Sequence, residues 1–173
     1  MSPDDIPLLF RHSSRGLRAR ELREFLHDIS GGRHVTCLIT DDRELRRLNL
    51  QFRHKDYATD VLSFPNHNGG EIAISLDRAA AQAKEHGHTV FDELRILMLH
   101  GVLHLRGMDH EQDSGEMARA EMRWRKKLGL PISLIERSHR SPGLTAAASQ
   151  IARNTVAKAV AVRRGPRRLR ARA

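Results

Sequence analysis

The sequence predicts an α+β fold, a single compact domain in which a small mixed sheet packs with about five helices. Three observations carry that expectation. Apolar residues recur at helical spacing in several separate stretches, and short β-branched or alternating runs are mixed among them. The chain has 173 residues and one cysteine, enough to bury a core and too few thiols for a disulfide framework. One stretch, Phe91 to Leu105, is apolar nearly all round, which marks it as a buried central helix.

Taken in order, Ile6 to Phe10 is a short apolar run fit for an edge strand, behind the helix-breaking Pro3 and Pro7. Leu17 to Ile29 places Leu22, Phe25, Leu26 and Ile29 on one helical face, and Ser30-Gly31-Gly32 stops it. His34 to Thr40 is a strand. Asp41 or Asp42 caps a second helix with Leu45, Leu48 and Phe52 on its inner side. A polar loop with Arg53, His54, Lys55 and Asp56 leads to a strand from Asp60 to Phe64, ended by Pro65. Asn66 to Gly70 is turn material, and Glu71 to Leu76 is a short alternating strand. Asp77 caps a helix to Glu85 that Gly87 ends, and Thr89 with Asp92 starts the central helix. Asp113, with Glu116 three residues on, opens a last helix packed through Met117, Met122, Trp124 and Leu128 and closed by Gly129 and Pro131.

The net charge is +9, but it is not evenly spread. Residues 137–173 hold ten Lys or Arg and no acid, leaving 20 basic and all 21 acidic residues to 1–136, a net of −1. The chain therefore divides into a domain over 1–136 and a basic tail over 137–173, expected to be disordered or loosely helical. No apolar run approaches the ~18 to 20 residues of a membrane span. The acidic, proline-broken N-terminus does not read as a signal peptide. With one cysteine, this points to a cytoplasmic protein with no membrane partner.

The central helix carries the chemistry. His100 and His104 are four apart, so their imidazoles stack on one face, one turn apart. Gly107 supplies a left-handed turn, after which His110 can fold back onto the pair. Three neutral imidazoles with a fourth position open describe a catalytic zinc site, one Zn2+ per chain. The H-x3-H-x5-H spacing is that of the metzincin zinc proteases. Their glutamate base would follow the first histidine, and here that residue is Gly101, which cannot carry a proton. The metal geometry is kept and the peptidase base is absent. The expected chemistry is therefore something other than ordinary peptide hydrolysis.

Three blocks stand together: F-R-H-K-D-Y-A-T-D-V-L-S-F-P from Phe52, G-E-I-A-I-S-L-D from Gly70 and L-H-G-V-L-H-L-R-G-M-D-H from Leu99. In order and spacing they resemble the YbeY family of bacterial rRNA maturation factors, over roughly residues 35–128. The resemblance implies a zinc-dependent, single-strand-specific endoribonuclease of rRNA maturation, notably 16S rRNA 3′-end processing, and of ribosome quality control. It implies His100, His104 and His110 as metal ligands and Arg53 as the catalytic residue. Its partners would be rRNA, the ribosomal subunit and ribosomal proteins. Ala58 stands where the family has proline, the first strand is weak, and the basic tail is an addition.

Arg53 has a physical use in that setting, since a guanidinium can clamp a phosphate through paired hydrogen bonds and hold the charge that develops on it. Two other readings compete: a minimal metalloprotease, which Gly101 counts against, and a non-catalytic ribosome-assembly factor with a structural zinc. Asp109 either orients His110 or forms its turn. Thr59, Asp60 and Ser63 either face the site or serve as cap, turn and strand-surface residues. His54, His67, His86 and His88 read as loop and turn residues, and Arg119, Arg123, Arg125, Lys126 and Lys127 as a solvated helix face.

Overall fold

The computed structural model describes residues 7–11, 16–110, 112–132, 134–135 and 137. Its elements run β1 (Leu8–Phe10), α1 (Ala19–Ser30), β2 (His34–Thr40), α2 (Asp42–Arg53), β3 (Val61–Asn66), β4 (Gly69–Ser75), α3 (Leu76–His86), α4 (Val90–Leu105) and α5 (Glu116–Leu128). This is the α+β domain expected. The four strands form one mixed sheet in the order β1-β2-β4-β3. β1, β2 and β4 are parallel neighbours, and β3 runs antiparallel along the outer edge of β4.

Strand alternation sorts the core into two faces. Val35, Cys37, Ile39, Ile72 and Ile74 cluster with Leu22, Leu26 and Ile29 of α1 and with Leu94, Leu97 and Met98 of α4. Leu62 and Ala73 form a smaller cluster with Leu45 of α2, against Leu48 and Phe64. The thiol of Cys37 lies inside the larger cluster, where burial pushes its pKa up to about 12. It is an inert core residue. α4 has eleven buried residues out of sixteen, so its axis is fixed by packing from several sides. A metal site on such a helix inherits that rigidity.

Most boundaries agree with the sequence reading, and the exceptions have physical causes. Pro65 does not end β3, which runs to Asn66; on an edge strand its missing N–H faces no neighbour. Gly69 and Gly70 belong to β4 rather than to the turn, both at φ near +150°. A Cβ on Gly69 would stand 2.0 Å from the carbonyl oxygen of His34, and one on Gly70 2.5 Å from that of Phe64. Ser75, not Asp77, caps α3 by accepting from the N–H of Arg78. Asp113 supports the start of α5 from outside, accepting from Gly115 and Met117, while Gly115 occupies the cap. Phe52 and Met122, expected on packing faces, are exposed.

The basic tail expected over 137–173 lies outside the described residues except for Arg137. That residue is part of the body: its guanidinium grips the fully buried Glu93 of α4 with two bonds of 2.8 and 2.9 Å. His88 meets the same carboxylate through Nε2, so it too is tied inward rather than free in a surface turn. Among the described residues no helix is long and apolar enough to cross a membrane.

A candidate three-histidine metal centre on the central helix

α4 starts under a local cap, Thr89 accepting from the N–H of Asp92 and donating to its carboxylate at 2.7 Å. It ends at Leu105, and Gly107 takes φ +82° as the chain turns. The Asp109 carbonyl accepts from Gln112 and Asp113, closing a second turn that carries His110 back toward the helix. The three imidazoles converge, with ring centroids 4.7, 5.4 and 5.7 Å apart. One nitrogen from each lies within 4.8 Å of the others. The sequence reading placed these three side chains together, and the structure does so.

The donor set fits a metal ion. Nδ1 of His100 lies 2.8 Å from Oε1 of Glu121, in a contact buried on both sides. An ionised carboxylate only accepts, so it holds the proton on Nδ1 and leaves Nε2 with its lone pair. That lone pair faces Nε2 of His104 at 3.0 Å. Two such nitrogens are joined either by a shared proton or by a cation, and a third imidazole beside them favours the cation. Nitrogens on a tetrahedral zinc stand about 3.3 Å apart, close to what the helix already supplies.

Electrostatics keep two of the three rings, His104 and His110, neutral. Burial first, then repulsion from His100 and His110, pushes the pKa of His104 down to about 2, and the Arg53 guanidinium acts in the same direction. His110 is lowered as well, by burial and by His100, against the opposing pull of Asp109 and Glu121. Neutral imidazole is the form that binds metal.

Arg53 is the last residue of α2, and its charge is felt at His104. His54 caps that helix in the left-handed region at φ 57°, and its N–H returns to the carbonyl of Leu50. The loop beyond is pinned twice: Arg46 forks onto Asp56 at 2.7 and 2.8 Å, and the buried Asn49 donates to the carbonyl of Tyr57 at 2.8 Å. Arg53 therefore leaves a fixed point.

The other candidates sort differently. Ser63 donates to the carbonyl of Gly101 at 3.3 Å and ties β3 to α4. Asp60 caps the N–H of Val61 and accepts from Gln82 at 3.1 Å, a structural duty. His67 is exposed in the β3–β4 turn. Gly101 faces the sheet: a Cβ there would lie 3.0 Å from two carbons of Ile72 and 3.2 Å from the hydroxyl of Ser63. Any side chain at that position meets the sheet in tight contact. Glu121 is the residue beside the site that the sequence does not single out.

Comparison with known proteins agrees with this geometry. The family model described as endoribonuclease YbeY matches residues 17–129. The chain is 54% identical over 142 residues to the endoribonuclease YbeY of Solibacter usitatus, covering 79% of this chain and 97% of that one. It is 49% identical over 118 residues to the protein of the same name from Nautilia profundicola, covering 65% and 85%. Among solved structures, one of a Thermotoga maritima protein in solution is 30% identical with a TM-score of 0.52, over 70% of this chain and 93% of that one.

Proposed function

The chain belongs to the YbeY family of endoribonucleases, and from that premise we propose that it is a zinc-dependent enzyme cleaving single-stranded RNA in rRNA maturation, notably at the 3′ end of 16S rRNA, and in ribosome quality control. The observation that carries this reading is the convergence of His100, His104 and His110 with the charge of Arg53 reaching the same point. It is an arrangement for phosphodiester chemistry rather than for peptide hydrolysis, because Gly101 stands where the peptidase base would be and carries no carboxylate.

His100, His104 and His110 would hold the metal, and a zinc ion there supplies Lewis acidity to a phosphodiester and to the attacking oxygen. The chain's own residues do the rest. Glu121 keeps the His100 proton on Nδ1 and so fixes the ring that must coordinate. Burial keeps His104 unprotonated at any physiological pH. Arg53, projecting from a pinned helix end, holds the scissile phosphate through its fork of N–H donors and opposes the negative charge that grows on it. The basic residues beyond Arg137 add a sequence-independent attraction for the RNA backbone, in the cytoplasm and on the ribosomal subunit. The test is cleavage of a short single-stranded RNA, its duplex and casein by zinc-loaded protein and by His104→Ala of verified fold. The reading requires cleavage of the single strand by the wild type alone, and casein cleavage would replace it with the peptidase.

A further inference from the structure

We propose that Phe52 and Tyr57, which bracket Arg53 in the chain, form a stacking platform for the unpaired bases of the RNA. The inference rests on the nuclease reading above and adds the residues that read single-strandedness. The chain has seven aromatic residues of the Phe, Tyr and Trp types. Phe25 is buried, and Phe10, Phe64, Phe91 and Trp124 are half-buried against the core. Phe52 and Tyr57 are the two left exposed, at 55% and 37%, and both flank the residue assigned to the phosphate. A lone exposed aromatic needs no explanation. Two of them five residues apart, on either side of a phosphate-binding arginine, do.

Both rings come from anchored positions. Phe52 lies in the last turn of α2 and meets Phe64 of β3 at 5.2 Å between centroids and 63° between planes. Such an edge contact fixes a ring without covering both faces. Tyr57 follows a loop held by the Arg46–Asp56 fork, by Asn49 on its own carbonyl and by the N–H of Lys55 on the carbonyl of Asn49. Little loop entropy is left to lose when a base docks. The Arg53 guanidinium acts on the Tyr57 phenol, opposing the rise that burial gives it. Ring and guanidinium are thus neighbours on one pinned segment, and a nucleotide whose phosphate meets Arg53 has an aromatic face at hand. Bases inside a duplex are already stacked, whereas single-stranded bases can splay onto aromatic side chains. The platform therefore selects single strands with no sequence readout.

The test uses the full-length, zinc-loaded protein and a ten-nucleotide RNA carrying 2-aminopurine, as a single strand and as a duplex. Phe52→Leu and Tyr57→Leu keep apolar bulk and remove the π-face, while Tyr57→Phe keeps the ring. Wild type and Tyr57→Phe should quench the single strand's fluorescence and bind it more tightly than the duplex. Each leucine variant, with normal zinc content and circular dichroism, should lose quenching and bind the single strand about 5- to 100-fold more weakly. Its affinity for the duplex should change little, so its preference for single strands narrows. If the leucine variants match wild type in quenching and affinity while wild type cleaves the RNA, the platform is wrong and the nuclease reading stands. If wild type neither binds nor cleaves the single strand, both fall together.

Discussion

Nδ1 of His100 and Oε1 of Glu121 are 2.8 Å apart, on neighbouring helices and both out of water. This contact decides which nitrogen of His100 is available, so the affinity of the proposed site for zinc should depend on Glu121 although its carboxylate would not touch the ion. Glu121→Gln keeps the shape and loses the charge; its amide can present either an oxygen or an N–H to the ring. Zinc affinity should fall by about 10- to 100-fold. Competition with a chromophoric chelator measures it, and wild-type affinity would remove Glu121 from the site.

Acid should loosen the metal-free fold in a defined window. His104 has a pKa of about 2 when folded, against an ordinary value of 6.5. Above pH 6.5 it is neutral in both states and contributes no pH dependence. Below that, the unfolded chain takes up a proton that the folded one refuses, so stability falls as pH drops from about 6.5 toward 2. His110, lowered in the same direction, adds to the effect. Urea melts at pH 8 and pH 5.5 should show a lower midpoint at pH 5.5, and His104→Asn should flatten the difference. A midpoint independent of pH in the wild type would contradict the burial of these rings.

Gly101 should resist replacement. In Gly101→Ala the gain of about 1 kcal/mol in helix propensity opposes an overpacking cost of about 1–3 kcal/mol against Ile72. A net loss of about 1 kcal/mol is expected. Gly101→Glu adds a buried carboxylate and should cost about 3 kcal/mol or more. Thermal melts and a casein assay check both, and a stable Gly101→Glu that cleaves casein would overturn the account of this position.

The boundary between body and tail should fall after Arg137. A chain ending at residue 140 keeps the Glu93 ion pair and should melt like the full protein. A chain ending at 136 leaves Glu93 buried without its guanidinium and should lose about 3–5 kcal/mol. The 140-residue form should also show a shallower dependence of RNA binding on salt, since it lacks most of the tail's cations. An unchanged slope would deny the tail a role in binding RNA.

What the sequence made legible was what is local. The Asp41 cap, the Thr89–Asp92 cap and the turn at Gly107 depend on residues within three or four positions, and each stands as expected. The three histidines were legible for the same reason, since helical spacing and one glycine bring them together. Glu121 was not, because it reaches His100 only through the packing of α5 on α4, 21 residues away. Arg137 was hidden in the same way, 44 residues from Glu93 and at the head of a basic run. The exposure of Phe52 was missed because helical spacing puts it in line with Leu45 and Leu48, and spacing does not say where the sheet ends beneath a helix.

Arg53 is the point where the metal reading and the nuclease reading meet, and single-turnover cleavage of a short RNA at saturating enzyme tests it most directly. Arg53→Ala should keep one zinc per chain and nearly its RNA affinity, and its cleavage rate should fall by about 10² or more. Arg53→Lys should recover part of the loss, because a point charge cannot reproduce the two-pronged contact. A wild-type rate in Arg53→Ala at full zinc content would contradict the account.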